Sequence, residues 1–318
     1  MLTISRFQGL VILFFFLLMT NNEARASFPE KPIRFICTTA PGGSLDVMMR
    51  AMAKMLSEEL KTPIYVENKP GATGSLAMSS ALALPADGYT VVSASGSTSF
   101  MLAEGKANFT ENDFIFITGL QSEPSAIAVP KSSPYKSLAD FIEAVKSNPA
   151  KINVGGYATA GFHQFVYYRL QQLANYRGIW IPFNNGNQAV LGLMGGHIDA
   201  AVITPSSALG QLQSGDIRLL AISTANRDQF FPSVPTFKEQ GYELVENLWR
   251  GMLVKKGTPA EVLDVFSKSI SKVESSPAWK KFMLENAQSS MNLSVEKMQQ
   301  HVKTEINSRK IFLKSMGL

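Results

Sequence analysis

The stretch Thr38–Asp46, "TTAPGGSLD", follows the apolar run "IRFIC" (residues 33–37) and leads into a segment with helical periodicity. A glycine pair between a strand and a helix lets a ligand approach the backbone, where the first helix amides point outward at the positive end of the dipole. Gly42 and Gly43 are expected to use positive φ, Ser44 to cap the helix through its hydroxyl, and Asp46 to stabilise the first turn. The stretch carries neither the G-x-x-x-x-G-K-[ST] pattern of a nucleotide phosphate loop nor the G-x-G-x-x-G pattern of a dinucleotide turn. A carboxylate suits such a loop; a plain strand-to-helix turn without a ligand is the alternative.

Beyond the loop, Val47, Ala51 and Met55 recur four apart with Met48, Met52 and Leu56 beside them, which predicts an amphipathic helix ending at "KTP" (residues 61–63). Short apolar runs then alternate with helical stretches: "PIYVEN", "YTVVSA", "FIFIT", "AIAVP", "INVGG", "IWIPF", "AAVIT", "LLAIS" and "GMLV". This is an α/β pattern, and the continuous apolar character of the runs fits strands covered on both faces. The unit of strand, polar loop, helix and strand that begins with "IRFIC" and "TTAPGGS" returns with "INV", "GGYATAG" and "IWIPF", and "AIAVPKSSP" resembles "GMLVKKGTP". One kind of α/β lobe is therefore expected twice, with residues 27–124 and 228–318 in lobe I, residues 125–227 in lobe II, and two crossings as a hinge. Ligands of such sheets bind beyond the carboxyl ends of the strands, which puts the candidate site in the cleft between the lobes.

Arg6 precedes the uncharged run "LVILFFFLLM" (residues 10–19), and "ARA" ends at Ala26, so residues 1–26 read as a secretory signal peptide cleaved near Ala26 and the mature chain as exported. The apolar run is shorter than the roughly 20 residues of a spanning helix. The single cysteine, Cys37, excludes an internal disulfide and reads as a buried apolar strand residue. A net charge of +5 with 45% hydrophobic residues fits ordered globular structure, and the scattered basic residues do not form a nucleic-acid surface. His163, His197 and His301 lack metal-ligand spacing and there is no G-x-S-x-G elbow, so no metal, cofactor or catalytic residue is expected. A Cys37–His163 dyad is disfavoured because Cys37 sits inside the strand pattern. His163 opens the helix after "GGYATAG", either as a structural first-turn residue or beside the ligand, and a ligand between two opposed helix starts would be held by amides without an arginine.

The pieces "APGGSLD" (40–46), "VENKPGATGS" (66–75), "PADGYT" (85–90), "HQ" (163–164), "IPFNNGNQA" (181–189), "GGHIDAA" (195–201), "RLLAIS" (218–223), "PSVPTFKEQGY" (232–242) and "KKGTP" (255–259) stand in an order that resembles the Bug-type periplasmic solute receptors, the binding subunits of tripartite tricarboxylate transporters. The resemblance implies a type II periplasmic-binding-protein fold: two Rossmann-like lobes on a two-segment hinge, closing like a Venus flytrap on a small carboxylate. It implies a receptor and not an enzyme, monomeric, with inner-membrane transporter subunits or a sensor as partner. Contacts through backbone amides and bridging waters carry over to Ala40, Gly42, Gly43 and Asp46 and to the neighbourhood of His163. The full candidate set adds Thr39, Ser44 and Ser95 in the first lobe, and Tyr157, Thr159, Ala160, Gly161, Phe162, Asn184 and Thr204 in the second.

The chain departs from the G-x-G-[ST]-x-x-H arrangement of such receptors, with Tyr157, Thr159 and Ala160 at those spacings and Phe162 directly before His163. Phe183 and Asn184 stand where relatives often have Tyr-Lys. A hydroxyl lost at Ala160, with Phe162 and Phe183 as apolar walls if they face the cleft, would favour a monocarboxylate or an aromatic or otherwise apolar-bodied acid over citrate; the alternative is that both aromatics pack under the loops as core residues. Two other classes stay open from sequence: an exported α/β enzyme on the same scaffold, which would not return its ligand unchanged, and a surface interaction protein, which no small carboxylate would protect from heat.

Overall fold

The structure is a computed structural model that describes residues 28–315 and residue 317, so the expected signal peptide lies outside the described residues. Among the described residues no helix is long and apolar enough to cross a membrane. The strands are β1 (Ile33–Cys37), β2 (Ile64–Asn68), β3 (Thr90–Ser95), β4 (Phe114–Pro124), β5 (Ala126–Pro130), β6 (Asn153–Tyr157), β7 (Ile179–Phe183), β8 (Ala200–Ile203), β9 (Ile217–Ile222), β10 (Asn247–Lys255) and β11 (Ser289–Leu293).

They form two sheets, one in the order β11-β4-β10-β3-β1-β2 and one in the order β7-β6-β8-β5-β9. In the first, β1 runs parallel to β2 and β3, and β10 is antiparallel to β3 and β4. In the second, β6 runs parallel to β7 and β8, and β5 is antiparallel to β8 and β9. The trios β2-β1-β3 and β7-β6-β8 are the same unit, and β10 and β5 take the same place beside them. The internal echo in the sequence is thus a repeat of topology.

The chain crosses between sheets at Ser125 and returns through residues 223–246. The crossings are tied together: Ser125 donates its amide to the Ser223 hydroxyl and Ser223 its amide to the Ser125 carbonyl, both at 2.8 Å, and the Glu246 amide donates to the Ser223 carbonyl at 3.0 Å. The sequence puts the return at residue 228, whereas the chain re-enters the first sheet at Asn247. Phe237 and Leu244 are buried with Ile127, Val129 and Phe141 in the second lobe's core, which holds the irregular segment there.

The helix Ser44–Leu60 buries Leu45, Met48, Met49, Met52, Ala53 and Leu56, while Val47 is exposed. The buried face is therefore turned from the expected Val47–Ala51–Met55 stripe, because apolar residues surround most of this helix and packing decides which side is covered. It ends at Lys61 in the left-handed region, as "KTP" suggests. The helix Val295–Ser315 packs Met298, Val302, Ile306 and Leu313 into the first lobe's core. Its Phe312 reaches the second lobe, edge-on to Phe165 at 4.5 Å between ring centres.

Candidate functional site

The loops after β1, β3, β6, β7 and β8 converge with β10 on one cavity of about 40 Å³. Across it the lobes touch. The Ser44 hydroxyl lies 3.0 Å from that of Ser206 and 3.1 Å from that of Ser207, and the Phe162 amide donates to the Ser97 hydroxyl at 3.3 Å. Four helices, Ser44–Leu60, Gly96–Glu104, Phe162–Ala174 and Gly186–Met194, begin at this junction.

Of the candidate residues, Thr39, Gly43, Ser44, Ser95, Tyr157, His163 and Thr204 line the cavity. Gly42 takes φ +81°, but its amide donates to the Asp46 carboxylate at 2.9 Å and does not face the cavity. Gly43 has φ −75°, not the positive value expected; a Cβ there would stand 3.2 Å from that of Asn185, so it is small because the lobes approach here. Ser44 is the first helical residue and caps nothing, since its hydroxyl reaches across the cleft. Ala40 is half-buried beside the loop and outside the cavity lining. The Asp46 carboxylate turns away from the cavity to Arg50 at 3.0 Å and Asn68 at 2.7 Å. Burial pushes that carboxyl up, but the bonds from Arg50, the Gly42 amide and Asn68 outweigh it and hold it below its ordinary value.

In the second lobe, Thr159 and Ala160 line a separate cavity of about 390 Å³ with Ala72, Thr73 and Met101. Gly161 caps the helix Phe162–Ala174, and Phe162 is buried in the second core. Phe183 packs into the space left by Gly155 and Gly192. Asn184 is exposed, and its neighbour Asn185 lines the cavity and accepts the Gln188 amide at 2.8 Å. Neither aromatic faces the cavity, so the expectation of an apolar-bodied acid loses its physical basis.

Arg250 on β10 is a cavity residue that the sequence reading did not include. It lines the cavity, only 3% exposed, with Nη2 donating to the Thr204 hydroxyl at 3.4 Å and Nη1 paired with Glu123. The Glu123 carboxylate, itself buried, also accepts from Gln288 Nε2 and from the Ser206 hydroxyl at 2.8 Å. The one sequence signal for Arg250 is a cation inside the apolar run "NLWRGMLV", where burial demands a partner. Ser97, Ser207 and Leu248 line the cavity without any distinguishing signal.

His163 is 4% exposed, and neither ring nitrogen has a hydrogen-bond partner. Burial, and then the Arg250 charge, hold its pKa down to about 3, so the imidazole is neutral and offers one donor and one acceptor to the cavity. Burial pushes Tyr157 up to about 12 and keeps it a phenol. It also pushes the Cys37 thiol up, only partly offset by the Thr39 hydroxyl 3.4 Å away, so Cys37 is not a nucleophile. The site can bind and desolvate an anion; it has no activated nucleophile. Among the described residues no group of His, Cys, Asp or Glu could hold a metal ion.

The sequence pattern of the tripartite tricarboxylate transporter family receptor matches residues 48–318. The chain is 30% identical to the protein BugT of Bordetella pertussis, over 79% of each chain. Its fold is similar to a structure described as a periplasmic transporter, with TM-score 0.86 and 28% identity over 91% of this chain and 98% of the other. It is also similar to MatC from Rhodopseudomonas palustris with bound malate, with TM-score 0.84 and 23% identity over 89% and 99% of the two chains.

Proposed function

This chain belongs to the tripartite tricarboxylate transporter family of receptors, and from that premise we propose that it captures a small carboxylate-bearing metabolite between its lobes and delivers it to inner-membrane transporter subunits or to a sensor. The family is one of periplasmic solute-binding receptors and not of enzymes. The observation that carries the ligand reading is His163: a buried imidazole with both nitrogens unpaired, in the same cavity as Arg250 and the uncapped start of the helix Ser44–Leu60. Unpaired buried polar atoms are costly unless a partner satisfies them, and a carboxylate or its bridging waters would do so. The malate in MatC supports the same class. Cleavage of the leader near Ala26, release into the periplasm and a monomeric state belong to this reading.

A thermal-shift screen over mono-, di- and tricarboxylates, followed by mass spectrometry of the recovered ligand, tests it. A binder at a hundredfold excess over its Kd stabilises the native state by about 2.7 kcal/mol and is returned unchanged. A panel in which no carboxylate raises the melting temperature would overturn the proposal.

A further inference from the structure

Arg250 is the only charged side chain lining the cavity among the described residues, and its charge is already balanced. Glu123 stands behind it with one oxygen taken by Arg250 and Gln288 and the other by Ser206, so it cannot serve a ligand cation. No carboxylate side chain lines the cavity, which leaves an ammonium group without a counter-ion. His163 is neutral.

Of the four helix starts at the junction, Ser95 and Asn185 cap those of Gly96–Glu104 and Gly186–Met194 and Asp46 sits in the first turn of Ser44–Leu60, which leaves Phe162–Ala174 with neither a side-chain cap nor an acidic first-turn residue. What remains suits one carboxylate, and a second would be desolvated without a partner. By contrast six serine and threonine hydroxyls and the Tyr157 phenol line the cavity, each able to donate to and accept from a ligand hydroxyl.

We propose that the buried Arg250–Glu123 pair sets the charge this cleft accepts, and that its solute is a short hydroxylated monocarboxylate of the lactate or glycerate kind. This rests on the receptor reading above. Glu123 is a specificity-determining residue that acts through Arg250 without touching the solute.

Lactate, malate and alanine make a matched set, since malate is lactate with an added carboxylate and alanine replaces the hydroxyl by an ammonium. Calorimetric titration of the exported chain should find lactate or glycerate at least tenfold tighter than malate, and alanine silent. Glu123→Gln leaves Arg250 unbalanced and should move the malate-to-lactate affinity ratio at least tenfold toward malate. Malate, adipate or alanine binding the unsubstituted protein as tightly as lactate and glycerate would overturn the proposal while leaving the receptor reading intact. If no carboxylate binds, both fall. Should Glu123→Gln fail to fold, the ratios on the unsubstituted protein decide alone; an unmoved ratio in a folded variant removes Glu123 from the assignment.

Discussion

Gly43→Val tests whether binding requires the lobes to meet at the "APGG" loop. The backbone at Gly43 is extended, φ −75° and ψ 159°, so any residue can adopt it and the first lobe should fold around valine. A Cβ would lie 3.2 Å from that of Asn185 and 3.7 Å from the Ala40 carbonyl oxygen, and valine adds two methyl groups beyond it. Overpacking of this size costs roughly 1–3 kcal/mol. The cost falls only on the closed state, which is also the state a ligand held by both lobes selects. The expected loss of affinity is therefore about 5- to 150-fold, and less than about tenfold for Gly43→Ala, where Asn185 need yield only slightly. An apolar residue at this N-cap position costs at most about 1 kcal/mol in the unliganded protein. The assay is calorimetry with the acid that most raises the melting temperature, together with small-angle scattering, in which the unsubstituted protein should contract on binding. A folded valine variant that binds as tightly and contracts as fully as its parent would show that the lobes need not meet at Gly43 for binding.

His163 has a folded pKa of about 3, against about 6.5 when unfolded. Its neutral form thus stabilises fully above pH 6.5, and that contribution drains away as pH falls toward 3, by about 3 kcal/mol at pH 4. In urea melts from pH 7 to 4, His163→Gln should lose stability less steeply than its parent; identical slopes would show that the imidazole is not buried. Arg250→Met leaves Glu123 charged and uncompensated, at a cost of about 3–5 kcal/mol, and Glu123→Gln in the same chain should restore most of it; a harmless single substitution would mean that the pair is hydrated. Gly251→Ala puts a methyl group on the Thr118 carbonyl oxygen, which the backbone cannot yield cheaply, so the free energy of unfolding in urea melts should fall by about 1–3 kcal/mol, and an unchanged value would deny the close approach.

Ten of the eleven strands among the described residues are legible as apolar runs, and for the central parallel strands β1, β3, β6 and β8 this follows from burial on both faces. The exception, Ser289–Leu293, is an edge strand whose residues are only partly buried, and "SSMNL" carries no such signal. At the site the sequence finds the loops but not which side chains turn inward. Asn184 and Asn185 are alike in sequence, and only the cap that begins the helix Gly186–Met194 makes Asn185 the inward one. Ala160 stands at a family spacing without the family's hydroxyl, and left-handed residues at Ala158 and Ala160 carry that loop toward another cavity, while Phe162 turns into the second core. Arg250 is hidden for a different reason: its partner Glu123 lies over a hundred residues away, and pairing across a sheet leaves no local trace.

The placement of that pair ties the hinge to the cleft. Arg250 stands opposite Ser95 on one side and Gln121 on the other, with a register shift before Gly251 where β10 and β4 approach closely. Alternate residues of a strand share a face, so Gln121 and Glu123 point the same way, and Ser125 follows two residues further along the same chain. Gln121 donates to Gln288, Glu123 holds Arg250 and accepts from Ser206, and Ser125 bonds Ser223 of the returning segment. Core, charge and hinge thus lie in sequence along one short stretch. Ser206 belongs to the second lobe and Glu123 to the first, so opening at Ser125 and Ser223 must draw the Ser206 hydroxyl from the Glu123 carboxylate. Closure then restores the full set of bonds on the Glu123 carboxylate that faces Arg250, and the polar surroundings of the site are completed in the same motion that seals it.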